Sequence, residues 1–223
     1  MAFDFSSFRR AAFSVRTARS VVGIAAMALL VGTNLGMGCF SSSKPSSLDV
    51  PLEYNAKSGD AAPLVNVQQP GSVKLYVSPV TDKREDTKLI GKNTQNDTAI
   101  PIYGTGKTIS ELVTEVLRQE LRDSGLDVLN DVSASTRTIE TELTRFNVEE
   151  TGRYSAEVRA TVKVVDPTGK VVWQGTVTGT GGNWGKSLNV SNYQETYSKA
   201  LKEMTMHLLS DSRFVAALSG TGN

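Results

Sequence analysis

The 223-residue sequence contains one cysteine and one histidine. A single cysteine excludes an intramolecular disulfide and any zinc site built from several cysteines, and a single histidine leaves little for histidine-based metal or acid–base chemistry. An excess of charge of one sign is also missing, because 24 basic residues face 23 acidic ones. This balance gives no indication of a nucleic-acid partner. The motifs HExxH, CxxC and GxSxG are absent, so we expect no metal, no other cofactor and no catalytic site of these classes.

The main apolar stretch is too short to cross a bilayer. It covers residues 21–31, in an uncharged segment that follows Arg9, Arg10, Arg16 and Arg19. A membrane-spanning helix needs about 20 apolar residues, whereas the core of a secretory signal peptide needs roughly 7 to 15 after a positive leader. The sequence therefore predicts a signal peptide over residues 1–38.

The only cysteine follows this leader directly. Gly38 and Cys39 resemble the cleavage site of bacterial lipoproteins, whose leader is cut before a cysteine that becomes acylated on its sulfur and its new amino group. The leucine that usually stands three residues earlier is replaced by Gly36, and Leu35 lies one place further back. The resemblance implies a lipid anchor at Cys39. Because Phe40 stands where an aspartate would retain the protein in the inner membrane, it favours the outer membrane, with the domain in the periplasm.

Residues 39–71 are rich in serine and proline and show no apolar period. This composition predicts a flexible tether, and roughly 30 such residues span on the order of 30 Å. Ser41 and Lys44 match the Ser-x-x-Lys pattern of certain acylases. Because a tether cannot hold a nucleophile against its base, we assign the match no function.

Apolar spacing in residues 72–218 predicts one α+β domain. A strand at residues 73–80 precedes a helix that begins with a capping box, Thr108 and Glu111, and ends at Gly125. A short extended segment follows at residues 127–129, then a strand at residues 138–149 whose alternation changes parity between Leu143 and Phe146, which indicates a bulge.

Residues 154–164 and 171–177 alternate strictly and are predicted to form a hairpin around a turn at residues 166–169. A glycine-rich loop over residues 179–186 then leads to a second helix with a capping box, Ser191 and Gln194, and to a short helix near Phe214. The strand–helix–strands–helix order predicts an antiparallel sheet with two main helices on one face. Residues 219–223 are predicted to be a disordered tail.

Several of these features together resemble the YajG family of bacterial lipoproteins. They are the lipoprotein cysteine, residues 77–84 with the later pair Ile90-Gly91, the helix end at residues 121–126, and the hairpin segment 169–173. The resemblance extends over residues 73–218. It implies a small periplasmic domain of unassigned activity, anchored in the outer membrane. A related architecture occurs in lipoproteins that activate peptidoglycan synthases and in accessory lipoproteins of lipid-transport machines, and both roles are in partner binding.

Three charged residues of the loop after the first strand, Asp82, Arg84 and Asp86, are candidate functional residues. Neighbouring carboxylates can share a proton or bind a cation, but such loops more often form local ion pairs. We expect a structural role or contact with a partner.

Trp184 lies among glycines and could stack on a sugar, insert into a partner, or fold back over the sheet. Residues 104–108 read Gly-Thr-Gly-Lys-Thr, the end of a phosphate-binding loop, but Pro101 replaces its first glycine. We therefore expect a turn that leads into the Thr108 cap. His207 has no second histidine to act with, so a catalytic role is not expected.

Three functional hypotheses follow. The first is a lipid-anchored, non-catalytic envelope protein that binds a protein or envelope polymer, such as a peptidoglycan-related partner, and whose oligomeric state the sequence leaves open. The second is a carbohydrate-active envelope enzyme with Asp82 or Asp86 as its acid. The third is a structural protein that self-assembles along an exposed edge strand.

Overall fold

A computed structural model of the chain describes residues 45–55, 73–95 and 97–219. The predicted signal peptide, Cys39, most of the predicted tether and residues 220–223 lie outside the described residues. The described elements are, in chain order, β1 (Leu48–Pro51), β2 (Lys74–Val77), β3 (Thr81–Asp82), β4 (Leu89–Asn93), β5 (Ile100–Thr105), α1 (Ile109–Asp123), β6 (Asp127–Leu129), a 3₁₀ turn (Val132–Ala134), β7 (Arg137–Glu150), β8 (Tyr154–Val165), β9 (Val171–Asn183), α2 (Val190–Ser210) and α3 (Ser212–Ser219).

The α+β class is confirmed, but the sheet is mixed rather than antiparallel. The long strand β7 pairs antiparallel with β8 on one side. On its other side it pairs in parallel with β2, β3 and β4, one after another along its length. Parallel neighbours need a long crossover, and here β5, α1 and β6 lie between β4 and β7. The predicted order contained no strand between residue 80 and helix α1, so it did not include β3, β4 or β5.

The tether prediction is wrong for residues 48–51. These residues form β1, which pairs in parallel with β5. Val50 and Leu52 are fully or almost fully buried, so two apolar side chains in an otherwise polar segment join the core. Because Val50 is the one buried residue of this four-residue strand, the segment shows too little periodicity to be recognised.

Helix α1 begins and ends where the sequence predicts. The Thr108 hydroxyl accepts a hydrogen bond from the Glu111 N–H, and the Glu111 side chain accepts one from the Thr108 N–H, which completes the capping box. At the other end Gly125 has φ +87°, and Leu126 N–H donates to the Leu121 carbonyl. This is the Schellman arrangement, in which a residue without a β-carbon adopts the left-handed conformation at little cost.

Helix α2 begins differently from the prediction. Its N-cap is Asn189, whose side chain accepts a hydrogen bond from the Asn192 N–H, and the Ser191–Gln194 capping box does not form. The residues predicted as a glycine-rich loop also differ, because β9 continues to Asn183. In contrast, the β8–β9 hairpin, the α3 helix and the bulge between Leu143 and Arg145 are confirmed.

Glycine at two positions of β9 lets α2 pack on the sheet at very short range. A β-carbon on Gly179 would lie 2.1 Å from the Ala200 carbonyl oxygen, and one on Gly181 would lie 2.1 Å from that of Thr196. Both glycines therefore face the α2 backbone. Even-numbered residues of the same strand, such as Gly182, face the opposite side of the sheet.

Candidate functional site

The charged loop between β3 and β4 is organised around Arg84. The Arg84 guanidinium donates to both oxygens of Asp82, with Nε–Oδ1 at 3.0 Å and Nη2–Oδ2 at 2.7 Å. It also donates to the carbonyl oxygens of Leu89, at 2.7 Å, and Phe146, at 3.3 Å. Both charged side chains are only 9% exposed. Arg84 thus joins the loop to β4 and β7, and Asp82 neutralises its charge.

The Asp86 side chain holds the same loop by accepting hydrogen bonds from the backbone of the loop. Its Oδ1 accepts hydrogen bonds from the Lys88 N–H at 2.9 Å and the Leu89 N–H at 3.0 Å. The hydrogen bonds from Leu89 and Lys88 lower the pKa of the Asp86 carboxyl. A carboxyl with a lowered pKa is ionised at neutral pH, which does not suit a general acid.

The glycine-rich turn before α1 supplies no free phosphate site. The Glu111 carboxylate accepts the Thr108 N–H at 2.7 Å, so a side chain of the protein itself occupies the N-terminus of the helix. Lys107 Nζ lies 2.5 Å from a Glu115 carboxylate oxygen. The structure therefore matches the predicted turn into the Thr108 cap.

Trp184 lies at the rim of a cleft of about 680 Å³, which we call the Trp184 cleft. Its lining includes outward-facing side chains of β7 and β8, the end of β9, and Arg153 of the connecting turn. The lining includes Arg145, Asn147, Glu149, Arg153, Ser155, Glu157, Gly182 and Trp184. The alternation of β7 and β8 could have placed Asn147, Glu149, Ser155 and Glu157 on one face, but neither their identity nor their spacing marks them as a site.

The Trp184 side chain is 74% exposed, yet the chain on its N-terminal side is held in place. The Trp184 N–H donates to Asn183 Oδ1 at 2.9 Å. The Asn183 side-chain amide in turn donates to Asn192 Oδ1 at 3.3 Å and to Glu195 Oε2 at 3.2 Å, both on α2. The backbone of Trp184 is therefore linked to the first turns of α2.

The chain on the C-terminal side of Trp184 is held by a buried network that the sequence did not reveal. Tyr154 Oη donates to the Lys186 carbonyl at 2.6 Å and accepts from the Asn189 N–H at 3.2 Å. The carboxylate of Glu150, which is fully buried, accepts the Tyr193 hydroxyl at 2.6 Å and the Leu188 N–H at 3.2 Å.

Burial and the hydrogen bond to Glu150 raise the pKa of Tyr193, so its phenol stays protonated and remains a donor. Leu188 has φ +53°, a conformation that costs energy for a side chain of its size. The two aromatic rings of the network, Tyr154 and Tyr193, meet edge to face with centroids 4.9 Å apart.

The outer edge of β9 is partly covered by α2. Lys199 Nζ donates to the Gly182 carbonyl at 3.1 Å, Glu203 accepts the Thr180 N–H, and His207 Nδ1 lies 2.7 Å from the Thr178 carbonyl oxygen. These three side chains are four residues apart and lie along one side of the helix. They engage the backbone groups that an edge strand would otherwise present to another strand.

Within residues 45–55, 73–95 and 97–219 no cluster of three or more histidine, cysteine, aspartate or glutamate side chains could hold a metal ion. None of the helices described there is long and apolar enough to span a bilayer.

Comparison with known proteins identifies the fold of this chain but no family to which it belongs. No family model and no curated protein matches this sequence. Among solved structures, a protein of Xanthomonas campestris assigned to the family DUF330 superposes with a TM-score of 0.52 at 14% identity, over 75% of this chain and 96% of that one. This chain therefore shares its fold with that protein.

Two further structures are more loosely similar. The lipoprotein GNA1162 of Neisseria meningitidis has a TM-score of 0.33 at 13% identity, over 49% of this chain and 83% of that one. A dodecameric protein, PelC of Paraburkholderia phytofirmans, has a TM-score of 0.36 at 14% identity, over 62% of this chain and 91% of that one. Superpositions this loose carry no functional argument.

Proposed function

We propose that this protein is a lipid-anchored, non-catalytic envelope protein that uses the Trp184 cleft to bind a protein or polymer of the bacterial envelope. The binding role rests on the exposed indole of Trp184, whose flanking backbone is held by hydrogen bonds on both sides. Exposing a large aromatic ring on an ordered surface has no benefit for folding, whereas such rings are common anchors at binding sites.

The lipid anchor at Cys39 accounts for where the protein acts. Two acyl chains give stable membrane attachment where one is marginal, since each buried CH₂ contributes about 0.8 kcal/mol. Because β1 begins at Leu48, only residues 40–47 separate Cys39 from the sheet. Fully extended, this segment reaches at most roughly 30 Å. The domain would thus work close to the membrane surface, and we place it on the periplasmic side of the outer membrane.

A carbohydrate-active enzyme with Asp82 or Asp86 as its acid is disfavoured by the contacts of both residues. The Asp82 carboxylate is paired with Arg84 on both oxygens, and the pKa of Asp86 is lowered by backbone hydrogen bonds. Self-assembly along β9 is disfavoured over Thr178–Gly182, because α2 side chains engage that edge.

The anchoring part of the proposal is tested with Cys39→Ser in the native host. We expect the wild-type protein to be recovered in the membrane fraction with the mass of a processed, acylated chain. The variant should keep its leader and the mass of an unmodified chain. An identical mass and fractionation for the two proteins would overturn the anchor.

The binding part is tested separately by placing a photo-crosslinking amino acid at position 184 in living cells. We expect a crosslinked product that is absent when the same amino acid replaces Val132, which is 52% exposed on the 3₁₀ turn and lies outside the cleft. Equal or absent products at the two positions would contradict a binding role for the cleft.

A further inference from the structure

We propose that the Trp184 cleft binds a neutral saccharide chain, with the indole ring stacked on the face of one sugar ring. This inference rests on the proposed binding function and assigns a chemical class to its ligand.

The indole offers a flat apolar surface on a backbone that is held in place. Trp184 is 74% exposed, and its backbone is tied to α2 through Asn183 and, past Lys186, to the hydroxyl of Tyr154. The C–H face of a sugar ring packs on such an aromatic face, while the ring's hydroxyl groups point sideways toward hydrogen-bonding partners. A surface fixed before binding loses less conformational entropy when the ligand arrives.

The floor of the cleft is low because small residues form it. A β-carbon on Gly182 would have only the Tyr154 carbonyl oxygen within 4 Å, at 3.8 Å, so the space above this residue is open. Ser155 lies opposite Gly182 in the β8–β9 register and is also small. The cleft volume of about 680 Å³ lies within the roughly 300–1,000 Å³ of typical small-molecule sites.

The charges of the lining cancel. The charged lining residues Arg145, Arg153, Glu149 and Glu157 have a formal charge sum of zero. Glu157 is paired with Arg145 Nε at 2.8 Å and with Arg159 Nη2 at 2.6 Å. Glu149 is paired with Lys92 at 3.5 Å. A polyanion such as a nucleic acid or a phosphorylated polymer would need an excess of cations here, so a neutral ligand fits better.

Hydrogen-bonding capacity remains in the cleft after these pairs are counted. Among the described residues, the side chains of Asn147 and Arg153 form no hydrogen bond or ion pair with another described residue. An amide can donate and accept, and a guanidinium donates up to five hydrogen bonds. Both groups therefore suit the hydroxyl and acetamido groups of a sugar.

A protein partner fits this surface less well. The large apolar side chains exposed in the described part of the chain are Val132, Val171 and Trp184, and the first two lie outside the cleft. Protein interfaces bury a contiguous core of apolar and aromatic residues, whereas the Trp184 cleft offers one aromatic ring beside polar groups.

The test uses the full processed protein, purified in a detergent without a sugar headgroup. The probes are the hexamers of N-acetylglucosamine and of glucose, with oligogalacturonate as the acidic control. Binding is followed by tryptophan fluorescence, since a sugar that covers Trp184 should shift its emission to the blue, and by calorimetry for variants that lack the indole.

We expect saturable binding of at least one neutral hexamer and no binding of oligogalacturonate. Trp184→Ala should weaken binding about tenfold or more, because stacking on one aromatic ring contributes on this scale. Trp184→Phe, which keeps an aromatic face, should retain binding within a few-fold. Gly182→Gln should abolish it by filling the open floor.

Val171→Ala is the matched control, since this exposed residue lies on the same strand outside the cleft. It should bind like the wild type. The saccharide assignment is overturned if neither neutral hexamer binds at millimolar concentration, if only oligogalacturonate binds, or if Trp184→Ala binds as well as Val171→Ala. A specific crosslink to a protein at position 184 without saccharide binding would retain the binding function and reject the ligand class.

Discussion

The charged loop at Asp82–Asp86 and the Trp184 cleft differ in what their polar groups do. In the loop, Arg84 donates hydrogen bonds to Asp82 and to carbonyl oxygens of β4 and β7, and Asp86 accepts two backbone N–H groups. In the cleft, the side chains of Asn147 and Arg153 make no such contacts with described residues. The loop contains the residue types associated with catalysis, yet its hydrogen-bonding capacity is used within the fold.

This difference indicates that residue type alone is a weak guide to a functional site. A buried ion pair with every oxygen engaged fixes a loop, while a side chain with unused donors and acceptors on a rigid surface remains available to a ligand. If the comparison is right, changes in the loop should alter stability, and changes in the cleft should alter binding.

Replacing Arg84 by alanine should destabilise the protein by about 3–5 kcal/mol. The change leaves the Asp82 carboxylate, which is 9% exposed, without its cation, and breaking one side of a buried pair has a cost of this size. Urea unfolding followed by circular dichroism measures it. Arg84→Lys keeps the charge but loses the bidentate geometry, so its stability should lie between those of the wild type and Arg84→Ala. A loss below about 1 kcal/mol would mean that the pair is effectively solvated.

Alanine at two adjacent glycines should have opposite consequences. Gly181→Ala should cost roughly 1–3 kcal/mol, because its β-carbon would collide with the α2 backbone at Thr196. Gly182→Ala faces open space and should leave stability unchanged or raise it by up to about 1 kcal/mol, since glycine is unfavourable within a strand. Chemical unfolding of both variants and the wild type measures the two changes in the free energy of unfolding. Equal effects would contradict the assignment of these residues to opposite faces.

The contribution of Asp86 should depend on pH. Because backbone hydrogen bonds lower its pKa in the folded state, its ionised form stabilises the fold. This stabilisation is complete above the unfolded-state pKa of about 4 and is lost as the pH falls through the lower folded-state value. Asp86→Asn should therefore be less stable than the wild type at about pH 7, and the difference should shrink toward about pH 3. A difference that grows on acidification would contradict this sign.

Replacing Trp184 by alanine should change stability least, within about 0.5 kcal/mol, because an exposed side chain contributes little to the fold. Thermal unfolding of the wild type and the variant tests this. Trp173→Ala is the matched comparison, since that indole packs edge to face on Phe214 with centroids 5.1 Å apart and its removal should be clearly destabilising. A large loss for Trp184→Ala would indicate that the indole is part of the fold.

Local patterns in the sequence predicted the local structure well. The alternation of Tyr154 to Val164 is buried on every second residue as expected, and the parity change before Phe146 corresponds to a bulge between Leu143 and Arg145. The capping box of α1 forms in full. Each of these signals depends on residues within a few positions of one another, so the chain encodes them locally.

The predictions that failed depend on distant partners. Strand β1 exists because residues 48–51 pair with β5, more than 50 positions away, and the parallel pairs of β7 need the crossover through α1. The end of β9 was predicted as a loop because its glycines suggest flexibility. Those glycines instead permit backbone contact with α2, which no local pattern reveals.

Neighbouring residues were enough to predict the α+β class, helix α1 with its caps and the β8–β9 hairpin. The proposed lipidation at Cys39 also rests on a local motif. The tertiary fold places hydrogen-bonding partners around Asp82, Arg84 and Asp86, whereas the indole of Trp184 is exposed. The side chains of Asn147 and Arg153 have no hydrogen-bond partner among the described residues. The reason is physical: whether a polar group remains available to a ligand depends on which distant atoms surround it after folding, and the identity of the residue does not specify those atoms.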